Sequence, residues 1–360
     1  MIIMSISLSE REWREFCVED IFNVFNLKPY HKHQLNLSSE LNAIPYVTRT
    51  NKNNGVEDFV EYISDMESNP ANIVVFGAEN ATFFYQPFNH ISGNKMYGIS
   101  NEKFNKNIGL FVTQMLNSSV EKCGFGYGQG LTGTRERRRK VMLPVQQDNE
   151  KIPDWLFMDR YISEQEKINK NKYITYIQRK IELYSFKEVE RLSEKSWEEF
   201  YIKDLFSEIK RGKRLIKANQ IPGNIPYISS TADNNGIDNF ISNDKNVRKF
   251  KNCLSIANSG SVGASFYEPF EFIASDHITH LKNNSMNKFT YLFIATITSR
   301  LKDKYNFNRE ISDTRIAKEK IILPISKKGQ PDYQYMEQYM KNIIITKYKD
   351  YLQYNNVLTF

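Results

Sequence analysis

The sequence predicts two tandem domains of mixed α/β (α+β) class, separated by long helices that pack as an antiparallel coiled coil. Three observations predict it. The chain repeats itself at a period of about 180 residues. Within each copy, short apolar runs punctuated by Gly, Pro and Asn surround one apolar helix-like stretch. After each copy, past Pro153 and Pro331, the texture changes to a charged stretch without Gly or Pro. A chain of 360 residues is also too long for one ordinary core, because cores stop growing at about 250–300 residues.

The repeat is most visible where "IPYVTRTNKNNGVEDFV" from Ile44 answers "IPYISSTADNNGIDNFI" from Ile225. They share 8 of 17 positions, where unrelated sequences drawn from twenty residue types share about one. "WREFCVEDIF" from Trp13 answers "WEEFYIKDLF" from Trp197, and "FYQPF" from Phe84 answers "FYEPF" from Phe266. "TRERRRKVMLPV" from Thr134 answers "TRIAKEKIILPI" from Thr314, and "PDWLFMDRYI" from Pro153 answers "PDYQYMEQYM" from Pro331. A period of this size duplicates a whole domain, whereas solenoids repeat every 20–50 residues or so. The expected organisation is a first domain over 1–152, a helical spacer over 153–195, a second domain over 196–330 and a second helical stretch over 331–360.

Within each copy, "NIVVFG", "ATFFYQPF", "CLSIANSG" and "KIILPI" are β-rich runs bounded by turn residues and read as strands. "GLFVTQML" and "TYLFIATITSRL" read as one buried helix per copy. From Asp154 to Leu192 the spacer reads as a helix, and Ile174, Ile177, Ile181 and Tyr184 keep the 3-4-3 spacing of a coiled-coil seam.

Hydrophobic content of 40%, with 13% aromatic, and a mean hydropathy of -0.55 place the chain among soluble globular proteins. The opening "MIIMSISLSEREWREF" reaches acidic residues too soon for a signal peptide. Cys17, Cys123 and Cys253 are too scattered for a disulfide framework. A cytoplasmic protein is expected. A net charge of +7 and a pI near 9.0 suit an acidic partner such as nucleic acid.

Catalytic patterns are missing. No GxxxxGK[ST] phosphate loop occurs, and the GxGxxG match at Gly128, Gly130 and Gly133 does not open a helix behind a clear strand, so a tight mobile loop is expected. The Asn-Pro-Pro-Tyr type of motif used by adenine methyltransferases is absent. Glu208 and Lys210 form an isolated ExK without the carboxylates of a nuclease site. His277 and His280 in "SDHITH" have no third ligand at metal spacing; they read as polar loop or strand residues, with His277 free to meet a base edge or phosphate.

What remains is charge beside hydrogen-bonding loops. Arg135, Arg137, Arg138, Arg139 and Lys140 cluster in one copy, and Lys210, Arg211, Lys213, Arg214 and Lys217 open the other. Such runs are usually solvated faces, but here they flank loops of Asn, Ser and Thr able to read bases. Where the copies keep "IPY", "NNG" and "PF" they share scaffold. Where Arg49 faces Ser230, Lys52 faces Asp233 and Glu79 faces Ser261, their donors and acceptors differ. The candidate DNA contacts are therefore Arg49, Thr50, Lys52, Asn53, Asn54, Arg135, Arg137, Arg138 and Arg139 in the first copy. In the second they are Arg211, Lys213, Arg214, Ser229, Ser230, Asn234, Asn235, Ser261 and His277. Changing Arg137 to Arg139 together is expected to weaken binding to all sequences alike.

From Trp13 to the C-terminal helix, the chain resembles the DNA specificity subunit of type I restriction-modification systems and the similar recognition subunits of type IIB-like enzymes. The resemblance rests on the tandem order, on "IPYVTRTNKNNG" and "ANSGSVGASFYEPFEFIASDHIT", and on closure of each domain at Leu143-Pro144 and Leu323-Pro324. It implies two target-recognition domains that read a bipartite, gapped site on double-stranded DNA. It also implies a non-catalytic chain whose helices set the gap and hold DNA adenine methyltransferase subunits. Those partners use S-adenosylmethionine, this chain binds no cofactor, and a nuclease or translocase subunit has a place in such complexes. Two alternatives from other classes are a stand-alone regulatory or antirestriction DNA-binding protein and a tandem β-rich protein-binding module.

Overall fold

The structure, a computed structural model, describes residues 7–62, 66–126, 128–306 and 308–357. The apolar opening Met1–Ile6 lies outside them. The chain divides into two compact units, Met1–Tyr173 and Ile174–Phe360.

In the first unit, "WREFC" forms strand Trp13–Cys17 and pairs antiparallel with Lys140–Gln146, setting Trp13 opposite Pro144 and Arg14 opposite Leu143. A four-stranded antiparallel sheet comes next, in the order Asn23–Asn26, Met96–Ser100, Ile73–Gly77 and Phe83–Gln86. Its central strand Ile73–Gly77 is buried on both faces, which explains the unbroken apolar run. A smaller sheet joins Val56–Val60, Ile44–Val47 and Ile91–Ser92. Helix Lys106–Val120, capped by Asn105, lays Ile108, Phe111, Val112 and Leu116 against Phe76, Phe83 and Leu143 to form the main core.

The second unit repeats this plan. Trp197–Tyr201 pairs with Lys320–Pro324 in the same register, Trp197 opposite Pro324. Its two four-stranded sheets correspond to those of the first unit, with Lys249–Phe250 as an added edge strand. Helix Lys288–Thr298 supplies Tyr291, Phe293 and Ile294 to the core.

The central helix runs Trp155–Tyr184, 30 residues, and stops eight short of the expected Leu192. Ser185 takes a left-handed conformation (φ 56°), and the carbonyls of Ser185 and Lys187 accept bonds from Gln338 and Asn342 of the C-terminal helix Tyr333–Tyr354. The helix start belongs to the first unit, where Phe157 and Met158 enter the core. In the second unit its end turns Ile177 (0% exposed) and Tyr184 (8%) inward while Gln178, Arg179, Glu182 and Leu183 stay exposed, as the seam spacing predicts.

Candidate nucleic-acid interface

The repeated "NNG" is a backbone device. Asn53, Asn54 and Gly55 are three successive left-handed residues (φ 50°, 55° and 78°), and Asn234, Asn235 and Gly236 repeat them (φ 49°, 53° and 79°). Asn and Gly are the residues that tolerate this region best. In each unit the turn folds one strand back on its neighbour: the Thr48 N–H donates to the Gly55 carbonyl and the Ser229 N–H to the Gly236 carbonyl, both at 2.9 Å. The Asn54 amide donates to the Tyr85 carbonyl at 2.9 Å, so that side chain braces the hairpin. Asn53, Asn234 and Asn235 are exposed, as is Lys52.

Each hairpin opens beside a cleft. The first, of 530 Å³, is lined by Lys32, Tyr46, Thr48, Arg49, Thr50, Glu57, Glu79 and Asn94, among others. The second, of 220 Å³, is lined by Arg214, Lys217, Gln220, Tyr227, Ser229, Asp238, Asp276 and His277. Both have the same foundation. The buried Tyr46 hydroxyl donates to the Tyr30 carbonyl at 3.0 Å, and the Tyr227 hydroxyl to the Leu215 carbonyl at 3.2 Å. Burial raises the pKa of both phenols.

Above that foundation the chemistry diverges. Arg49 is ion-paired with Glu79, which Lys95 also holds at 3.0 Å; hydrogen bonding to Lys95 and the charge of Arg49 keep its carboxyl below the usual range. Ser230 stands where Arg49 does, packed beside Gly260, and its carbonyl accepts from the Ser261 N–H at 3.0 Å. His277 occupies the position of Lys95 and is exposed. His280 faces the other way: it is 1% exposed, stacks on Phe250 at 3.7 Å and bonds the Lys210 carbonyl through Nδ1 at 2.8 Å, while burial lowers its pKa. His277 lies in the turn ahead of strand Ile278–Lys282 and is exposed, whereas His280 is buried within that strand, so the two do not converge on one ligand. Among the described residues no group of three or more His, Cys, Asp and Glu could hold a metal.

The basic clusters are largely committed to the scaffold. Thr132 caps a five-residue helix, Gly133–Arg137, at the end of the GxGxxG match, and no strand leads into it among the described residues. Ahead of it Gly126 is bridged to Gln129, where a dinucleotide fold needs a strand. Arg135 donates to the Gly130 carbonyl at 2.6 Å, and Arg315 does the same to Glu310 at 2.6 Å, which marks a repeated brace. Arg137 bonds the Val24 carbonyl, and Arg139 bonds the Ser119 carbonyl and sits 3.3 Å from the fully buried Glu136. Arg138 is exposed and, unlike its three neighbours in the run, braces no backbone carbonyl among the described residues. The joint change of Arg137 to Arg139 therefore disturbs the scaffold, and Arg138→Ser is the clean probe of phosphate contact. In the second unit, Arg211 pairs with Asp313 at 3.1 Å and Lys213 bonds Asn246 at 3.2 Å, whereas Arg214 lines the cleft.

Lys32, Glu57, Gln220, Asp238 and Asp276 line the clefts although their types and spacing suggested nothing. One signal existed: both copies carry an acid two residues after the turn glycine, in "GVED" and "GIDN".

Two units of one plan with differently lined clefts define a duplicated recognition protein. The type I restriction modification DNA specificity domain matches the chain twice, at residues 10–177 and 194–353. The chain belongs to this family: it is the specificity subunit of a restriction-modification system, with two target-recognition domains. It is 31% identical over 336 residues to the type II restriction enzyme specificity subunit S.BcgI of Heyndrickxia coagulans, covering 91% of this chain and 94% of that one. It also aligns with the type I restriction-modification S subunit of M. genitalium (TM-score 0.48, 13% identity, 98% and 96% of the chains). With the HsdS subunit of Thermoanaerobacter tengcongensis the TM-score is 0.32 at 10% identity, covering 95% and 91%. Among the described residues no helix is long and apolar enough to cross a membrane.

Proposed function

We propose that the chain directs DNA adenine methylation to a bipartite, gapped sequence in the cytoplasm, each unit reading one half-site through its cleft. The observation that carries this is the pair of clefts: the same place, the same buried tyrosine, and different donors and acceptors around it. Sequence is read by such side chains at base edges, whereas phosphate contacts only position the protein.

The helices and the strands beside them are the proposed seat of methyltransferase subunits. In the second unit a cleft of 860 Å³ is lined by Leu192, Trp197, Phe293, Ile322, Tyr339 and Ile343, with Ile322 52% and Leu192 39% exposed. Leu8 (38%) and Met142 (43%) stand at the matching positions of the first unit. The indoles of Trp13 and Trp197 donate alike, to the Leu8 and Leu192 carbonyls, at 3.1 and 3.0 Å. Exposed apolar surface of this kind marks a protein contact, and its duplication suits two copies of one partner. S-adenosylmethionine and the transfer chemistry belong to that partner. The name of the 31% identical relative, a restriction-enzyme subunit, extends the proposal to cleavage at the same site.

Pull-down of the tagged chain from its native host is expected to retrieve an adenine methyltransferase, and the purified chain alone to transfer no methyl group. Methylation by the isolated chain, or retrieval of no methyltransferase, would contradict the reading.

A further inference from the structure

Both clefts hold a carboxylate that charge alone does not favour against DNA. Glu57 and Asp238 stand two residues past the left-handed glycine, at the second position of strands Val56–Val60 and Ile237–Ile241. Phosphates repel such a group, so it is costly at the interface unless it meets a donor. Lys32 binds Glu57 at 2.8 Å, and that bond holds its carboxyl below the usual range, leaving it ionised at neutral pH. Asp238 has no ion pair among the described residues. Around them Arg49 gives way to Ser230 and Lys95 to His277, while the acid and a neighbouring hydroxyl, Thr48 or Ser229, are kept.

An ionised carboxylate only accepts hydrogen bonds. In the major groove the base-edge donors are the exocyclic amines, adenine N6 and cytosine N4, whereas thymine O4 and guanine O6 are acceptors that a carboxylate repels. Resting on the DNA-reading function above, we propose that Glu57 and Asp238 are specificity-determining residues, each selecting an amino-bearing base at the corresponding position of its half-site. The two half-sites then share adenine or cytosine at that position while differing elsewhere.

The amide that replaces the acid in Glu57→Gln and Asp238→Asn both donates and accepts, so it admits keto bases too. Methylome sequencing of cells carrying E57Q with its methyltransferase should show one position of the first half-site opening to thymine and guanine. Discrimination there should fall about tenfold or more. The second half-site should stay intact, which also reports a folded, assembled chain, and D238N should give the mirror result. Duplexes carrying nebularine for adenine, or 2-pyrimidinone for cytosine, at that position remove the amine; weakened binding of the wild-type complex by one of them tells which base is read. An unchanged motif with methylation retained would overturn the proposal. So would a uniform gain of methylation at all sequences, which would make the carboxylates charge brakes. A wild-type chain that directs no sequence-specific methylation would overturn this proposal and the DNA-reading function together.

Discussion

Arg139→Met is expected to destabilise the first unit by about 3–5 kcal/mol, the usual cost of stranding one partner of a buried ion pair. Glu136 is fully buried, and Arg139 stands 3.3 Å away without hydrogen-bond geometry, so neither carboxylate oxygen has a hydrogen-bond partner among the described residues. Burial outweighs Arg139 and pushes the Glu136 carboxyl up to about 7. An acid whose pKa is raised by folding stabilises fully below its unfolded value, about 4.5, and loses that contribution as pH rises through about 7. The loss caused by Arg139→Met should therefore be larger at pH 8, where the carboxylate must be buried charged or protonated at a cost, than at pH 5. The repeat supplies the repair, because Ile316 stands where Glu136 does. Glu136→Ile combined with Arg139→Met removes both charges and should recover most of the stability. Urea unfolding of the full chain at the two pH values checks this, and equal midpoints for wild type and Arg139→Met at pH 8 would refute it.

Lengthening the central helix should widen the unread gap without changing what is read. Its 30 residues extend about 45 Å at 1.5 Å each. Lys170 to Tyr173 are exposed, whereas Ile177 and Tyr184 are buried, so an insertion belongs between Asn169 and Lys170 and not beyond Lys180. Four added residues lengthen a helix by about 6 Å and rotate its downstream part by about 40°. With DNA rising about 3.4 Å per base pair, the gap in the methylated motif should grow by one or two base pairs. Both half-site sequences should be kept. Changed half-site letters, or an unchanged gap at full activity, would show that the helix is a linker.

Patterns set by backbone geometry were the most legible. The apolar helix of each copy and the seam through Ile177 and Tyr184 appear where their apolar spacing placed them. "NNG" was legible as a repeated feature, and its three left-handed residues give a backbone reason for the shared asparagines. The scaffold bonds of the arginine run were not legible, because charge density carries no sign of burial or of backbone partners. The hint was Glu136 three residues before Arg139, an ion pair on one helical face. The helix end at Tyr184 had no Gly or Pro to announce it, since Gln338 and Asn342, which hold the carbonyls of Ser185 and Lys187 just past it, come from more than 150 residues away. The residue types of Glu57 and Asp238 do not mark them as interface groups, because phosphates repel a carboxylate and an acid beside a turn reads as a solvated charge.

Methylome sequencing of cells carrying the wild-type chain with its methyltransferase tests the central claim most directly. Two units with differently lined clefts require an asymmetric motif: two short, different blocks of specified bases separated by a gap of fixed length with no base preference. A continuous motif, or one whose two halves are the same sequence inverted, would contradict two independent reading units.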